Sequence, residues 1–342
     1  MPADAPSLPA NPTDSLTARS IRFAITVTAP IALNLFLGPQ PWLVYALIAS
    51  IASYSIDNGG RAGERLAWMG GVGVAILVGA GLGSVVSEQR ALTIAAFAFG
   101  GVVYALSESG HQATLTLSRF FCFGIAIGAL YAKVAPLDIG VVLGFVLFAW
   151  AVSVGWDAID GRLRPASLPT LREIVAAMHT RLLDRWTFAI AVAVAVPLAF
   201  LLSAAVGEQK PYWAMLALVL VLRVDLNSSR KLMAERFLGT VLGVAVAAVY
   251  AAVFPNHVAL MIGLVFAALA RWPAQQRHGA LGVGALTAFV MLMIELVASS
   301  RGQALMLFEA RVVNTMIGIG VALLALGLDR MLHWGLRRYT YR

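Results

Sequence analysis

The sequence predicts an all-α membrane protein of about twelve transmembrane helices, arranged as two parallel six-helix repeats, and three observations lead there. The 342 residues are 60% apolar and 12% charged, against about 45–50% and about 25% in a soluble domain. Mean hydropathy is +0.83, so most of the chain has too little polar surface to face water. Apolar runs recur along its length, and the basic residues collect on alternate connections between them. A secreted enzyme, a disordered regulator and a nucleic-acid binder are excluded, the last despite a net charge of +8. The one cysteine, Cys122, stands in an apolar run and allows neither a disulfide framework nor a thiolate metal site.

A crossing helix needs about 20 mostly apolar residues. In order the runs cover 20–37, 41–56, 66–86, 91–107, 114–132 and 137–156. A polar stretch, 157–185, separates them from 186–206, 211–224, 237–254, 258–272, 279–298 and 311–333. None alternates apolar with polar residues over about ten positions, which excludes a barrel. Several are short, so adjoining residues extend the helices or the bilayer thins around them.

Orientation follows from charge. With both termini cytoplasmic, 20 of the 25 Lys and Arg fall on cytoplasmic segments, leaving only Arg90, Lys133, Lys210, Arg301 and Arg311 outside. That positive-inside bias predicts a multi-pass protein of a bacterial-type inner membrane. Residues 1–18 form a disordered cytoplasmic tail; with no Lys or Arg before Thr17, they lack the positive region of a signal peptide. The first repeat is 19–156, the cytoplasmic linker 157–185, the second repeat 186–334 and a basic tail 335–342. In the linker, Thr170 and Glu173 form a capping box ahead of an amphipathic helix, which either lies on the membrane or docks on a second subunit.

The halves repeat. Pro41-Trp42 opens a short apolar run that leads to Glu64-Arg65, and Pro211-Tyr212-Trp213 opens one that leads to Glu235-Arg236. Trp42 to Trp213 and Arg65 to Arg236 are both offsets of 171, and His111 and His278 lie in corresponding loops. Six helices per half is even, so the copies enter from the same side, with substrate paths expected between repeats near the midplane.

Pro211-Tyr-Trp-Ala214, the Leu-Val-Leu-Val-Leu run that follows, and Arg236-Phe-Leu-Gly239-Thr240-Val-Leu-Gly243 resemble the signature of the fusaric acid resistance and aromatic acid exporter family. Arg311-Val-Val-Asn314-Thr315-Met-Ile-Gly318 is similar to the opening of that family's last core helix, with Asn where Asp is usual. The second half matches well. In the first, Trp68-Met69 replace the Gly-Thr, and Leu137-Asp138-Ile139-Gly140 lacks the Arg and Asn-Thr. The resemblance implies export of aromatic carboxylic acids and related small organic anions, in some members with a periplasmic adaptor. Plant aluminium-activated malate transporters, which are anion channels, are distantly similar in their membrane core.

Arg65 and Arg236 are then cationic mouths for carboxylates, which a guanidinium meets with a planar two-pronged fork; the other reading is topology alone. Glu64 and Glu235 need not pair with them, because adjacent helical residues point apart. Arg119 lies inside the fifth helix, where it either snorkels or faces a wet cavity. Arg311, Tyr212 and Trp213 join these on the expected substrate path. Glu295 and Asp225 are the candidate proton-coupling carboxylates, although Glu295 is near a helix end and Asp225 is placed to pair with Arg223. Gly79/Gly83, Gly124/Gly128, Gly140/Gly144 and Gly239/Gly243 form small-residue packing faces. No metal-ligand spacing, catalytic constellation or phosphate-cradling loop is present, so no cofactor is expected and any active transport must draw on an ion gradient or another subunit. The expected partners are a small organic anion, the bilayer, an adaptor and a second copy of the chain. A passive anion channel and a non-transporting scaffold are the rival functions.

Overall fold

A computed structural model describes residues 16–38, 40–57, 59–108, 112–159, 182–208, 210–297 and 301–340. The linker capping box, His111 and most of the N-terminal tail lie outside them. The described residues form twelve helices and no strand. The first six are α1 (Leu16–Leu37), α2 (Leu43–Ile56), α3 (Ala62–Val86), α4 (Arg90–Glu108), α5 (Gln112–Leu130) and α6 (Pro136–Ile159). The second six are α7 (Leu182–Ala205), α8 (Tyr212–Val221), α9 (Leu226–Val253), α10 (His257–Arg277), α11 (Gly279–Val297) and α12 (Arg301–Thr340).

Ten of these are long and apolar enough to cross a bilayer. The exceptions are α2 and α8, of 14 and 10 residues. At 1.5 Å per residue they reach only about 21 and about 15 Å of a core about 30 Å thick. They are second in each set of six, so the shortfall itself repeats. Other local features recur with them. Pro30 interrupts α1 and Pro197 interrupts α7. Gly38 and Gly207 follow the same two helices with φ of +85° and +82°, left-handed positions that a Cβ would strain.

Helix packing divides the chain into two compact units, and neither is a sequence half. Unit 1 gathers α1, α2, α3 through Gly73, α6, α9 from Met233, α10, α11 and α12 through Thr315. Within it α10 packs on α11, α1 on α10, α2 and α6, and α2 on α6. Ile31, Tyr45, Leu264 and Phe289 are among its fully buried side chains. Unit 2 gathers the rest of α3, α9 and α12 with α4, α5, α7 and α8. Here α4 packs on α7 and α5, and α8 on α7 and α5, around Phe97, Ile125, Phe188 and Leu218.

Glycines set the closest approaches. A Cβ on Gly79 or Gly83 would strike the backbone of α5 at Phe121 and Ile125, and one on Gly124 or Gly128 the backbone of α3 at Ile76 and Ala80. In unit 1 Gly239 and Gly243 meet Ala280, Val283 and Gly284 of α11 in the same way. Gly140 and Gly144 do not follow: nothing stands within 4 Å of a Cβ at either, so this small-residue pair is not a packing face here.

Candidate functional site

Both repeat-equivalent arginines lie in unit 1, and the chain treats them differently. Arg65 is the fourth residue of α3, close to the turn after α2. Its Nη1 donates to Asp157 Oδ2 at 2.5 Å and its Nη2 to Asp57 Oδ2 at 2.6 Å. Arg65 Nη2 also donates to Ser153 Oγ, which in turn donates to Asp57. Ser153 and Asp157 are four apart on α6 and so share a helix face. From α1, Arg22 Nη1 donates to Asp157 Oδ1 at 3.2 Å. Trp150 Nε1 donates to the carbonyl of Ala62 at 2.8 Å, fixing α6 against the start of α3. Among the described residues, two guanidinium groups and two carboxylates thus form a buried network of zero net charge.

Arg236 has no such partners. It is the eleventh residue of α9, about 15 Å from the helix start, whereas Arg65 is about 5 Å into α3. Arg236 is therefore well inside its helix, whereas Arg65 is near the start of its own. It is buried, its Nε lacks an acceptor, and among the described residues it makes no ion pair. The charges acting on it are those of Arg311 and Arg271, both of its own sign. One turn on, Thr240 is 1% exposed, and its Oγ1 has no partner. That is unusual within this chain: Thr26 and Thr315 each donate to the carbonyl four residues back, at 2.8 Å.

Arg311 requires a correction. It is expected at the outer opening of the last helix, but α12 begins at Arg301 and Arg311 is its eleventh residue, buried about 15 Å along the helix. From α10, Arg271 donates to Gln275 Oε1 at 2.5 Å. Its neighbour Trp272 is stacked under the Arg19 guanidinium, 3.6 Å from the ring centroid. Tyr54 and Phe23 approach the same indole at 5.9 and 6.2 Å, and Tyr54 OH donates to the Arg19 carbonyl at 2.6 Å. The Trp272 N–H is buried without an acceptor among the described residues. The result is a cluster of donors and rings in which, among the described residues, no carboxylate acts on Arg236 or Arg271. Glu235 turns away and lies on Gly279, whose Cβ would strike its carboxylate.

The other expected site residues separate. Arg119, the eighth residue of α5, is half-buried, and its Nε and Nη2 have no partner among the described residues. Tyr212 and Trp213 are buried in the first turn of α8 with rings 6.1 Å apart. Asn314 donates to the Ala310 carbonyl at 2.8 Å, and Gly318 packs on the α8 backbone at Ala214. Asp225 does not pair with Arg223. It caps α9 by accepting from Ser228 N at 2.7 Å, and hydrogen bonding from the Ser228 side chain, then from its N–H, holds its carboxyl below the usual range. Arg223 instead donates to Tyr104 OH at 2.8 Å. Glu295 is half-buried two residues before the end of α11.

The expected set lacked Asp57, Asp157, Arg19, Arg271 and Trp272. One signal was available: Gly155-Trp156-Asp157 is matched 172 residues on by Gly327-Leu328-Asp329, which marks Asp157 as part of the repeat. Arg19, Arg271 and Trp272 offered none beyond their positions at run ends.

No curated protein matches the chain, and no solved structure does. Likeness to the plant malate channels is therefore not shown. One family model does match, described as fusaric acid resistance protein-like, over residues 194–325. The match contains Arg236, Thr240, Arg271, Trp272 and Arg311, while the paired network of Arg65 lies wholly outside it. The match takes in the motifs at 211–214, 236–243 and 311–318, and over these residues the chain is similar to the fusaric acid resistance protein-like family.

Proposed function

We propose that this protein exports small organic anions, aromatic carboxylates among them, across a bacterial-type inner membrane at the expense of an ion gradient. One observation carries the reading: Arg65 holds two carboxylates of its own chain, and Arg236, the same position in the second repeat, holds none among the described residues. A buried guanidinium costs about 2.5–3.5 kcal/mol on insertion scales unless water or a counter-charge offsets it. A substrate carboxylate supplies that charge, taking the Arg236 fork in two-pronged fashion with the Thr240 hydroxyl as a further donor. Arg271 and Arg311 raise the local concentration of anions by their field. Trp272, Tyr54 and Phe23 offer apolar ring surface beside these cations, which favours an aromatic acid over an aliphatic one. With Asp225 engaged in capping α9, Glu295 is the remaining candidate for proton coupling.

The test is efflux of radiolabelled benzoate and acetate from proteoliposomes, with and without a pH gradient, divided by correctly inserted protein. A hydrogen bond to a charged group contributes about 1.5–3 kcal/mol, so Arg236→Gln should weaken apparent affinity about ten- to a hundredfold. Arg236→Lys keeps the charge but loses the fork and should weaken it less. Equal flux without a gradient would make the protein a channel. Unchanged affinity in Arg236→Gln would remove this residue from the path. A cysteine at Ser167, shielded from impermeant reagent in intact cells while one at Gln209 is labelled, tests the orientation.

A further inference from the structure

We infer that unit 2 carries a second anion site, where Lys210 faces Tyr131 beyond the end of α5, and that it takes a carboxylate or phosphate group.

Two lysines stand at this end of the unit. Lys133 is exposed, and its Nζ lies 2.7 Å from Glu88 Oε1. Lys210 is half-buried, yet it makes no ion pair among the described residues, and its Nζ rests 4.9 Å over the Tyr131 ring. Electrostatics alone would distribute these partners the other way, because the ammonium withdrawn from water needs a counter-charge most. The chain supplies a carboxylate where water already serves and withholds it where desolvation acts. Burial lowers the Lys210 pKa, and no opposing charge offsets it. Around it Tyr131 and Tyr212 meet edge to face at 6.3 Å, and Tyr212 and Trp213 at 6.1 Å, leaving one ammonium at a half-open aromatic recess whose Tyr131 is 50% exposed.

The first repeat lacks this arrangement. Position 210 less the offset of 171 is Pro39, which carries no charge, and the adjoining Gln40 N–H donates to Asn34 Oδ1 at 2.8 Å. In unit 2 the recess lies twelve residues along α5 from Arg119, about 18 Å at the helical rise. Among the described residues, Arg119 on α5 and Lys210 beyond its end both lack a carboxylate.

This inference rests on the proposed export and orientation, under which the recess faces outward. The anion is then either a departing substrate carboxylate or the phosphate of a lipid headgroup. Lys133, Lys210 and Lys231 are the only lysines in the sequence, so the test has internal controls. Purified protein in detergent is treated with an amine-reactive reagent, and each lysine is followed by mass spectrometry. Benzoate at ten times its half-saturating concentration should slow Lys210 about tenfold, leaving Lys133 and Lys231 unchanged. Phosphatidylglycerol protecting where benzoate and phosphatidylcholine do not would assign the site to lipid phosphate. Protection should persist in Arg236→Gln, which separates this site from the first. Absence of benzoate flux with Lys210 still protected would overturn the export reading alone. Lys210 labelled at one rate with benzoate, inorganic phosphate, phosphatidylglycerol or nothing would overturn this site.

Discussion

Removing Arg65 should unfold the protein more readily, whereas removing Arg236 should cost it only affinity. In Arg65→Gln the two shortest ion pairs of the network vanish, those at 2.5 Å to Asp157 and 2.6 Å to Asp57. Two buried carboxylates then share Arg22 alone, which sits 3.2 Å from Asp157. The network passes from zero net charge to minus one. Breaking a buried pair from one side costs about 3–5 kcal/mol, against a typical total stability of about 5–15 kcal/mol. The ratio of folded to unfolded protein should fall by roughly a hundred- to several-thousandfold. Arg65→Gln with Asp57→Asn restores neutrality, keeps the Arg22–Asp157 pair and should recover most of the loss. Arg236→Gln removes a buried cation with no ion pair, so its melting temperature should stay level or rise. The assay is thermal unfolding in detergent, paired with benzoate affinity on the same preparations. The reasoning fails if Arg65→Gln melts like the parent and loses affinity as Arg236→Gln does, because Arg65 would then be a substrate ligand.

Thr240→Val deletes a buried hydroxyl without a partner; melting should hold steady while benzoate affinity drops about three- to tenfold, and a melting loss with intact affinity would count against the site. Gly128→Val would drive a side chain into the Ala80 backbone and should abolish a monodisperse gel-filtration peak. Gly144→Ala, with nothing within 4 Å, should leave that peak unchanged. Asp225→Ala removes the α9 cap and should cost about 1 kcal/mol at neutral pH. Because the folded carboxyl is held low, the parent's advantage should be full above about pH 4 and disappear as pH falls through the depressed value. Loss of gradient dependence in that variant would return Asp225 to the coupling path.

Length and hydropathy determine how many helices form and roughly where, because satisfying backbone groups in lipid leaves helix as the response to an apolar run. That logic reads α1, α3–α7 and α9–α12 directly. It overstates α8, where the run at 211–224 yields helix only over Tyr212–Val221. It also misses ten residues at the start of α12, since Arg301–Ala310 is too polar for a hydropathy window yet helical all the same. That omission put Arg311 at the opening of the last helix. Partner choice was harder to read. Nothing in the spacing of Asp57, Arg65 and Asp157 shows that residues 92 apart will meet at 2.5 Å, because tertiary packing decides it. Repeat symmetry pointed to Arg65 and Arg236 as equals, and it is their surroundings that distinguish them.

The difference between the repeats has a mechanical origin in where α9 begins. Adding the offset of 171 to Ala62 gives 233, yet α9 starts at Leu226, seven residues earlier. Seven residues are about 10 Å, so the same arginine that lies near the end of α3 lies well inside α9. Near a helix end, the turn after α2 brings Asp57 within reach; inside a helix, no loop is at hand. On α12 the counterpart of Asp157 is Asp329, eighteen residues beyond Arg311 and about 27 Å along the helix. Arg311 itself stands where the first repeat has Ile139, 172 residues earlier. The second repeat has thus gained a cation at the level where the first keeps an apolar residue, while its own carboxylate sits elsewhere on the helix. A neutral network packs without help and suits a scaffold. Arg236 makes no ion pair among the described residues, and under the proposed function the counter-charge that such a buried cation needs is supplied by the anion in transit.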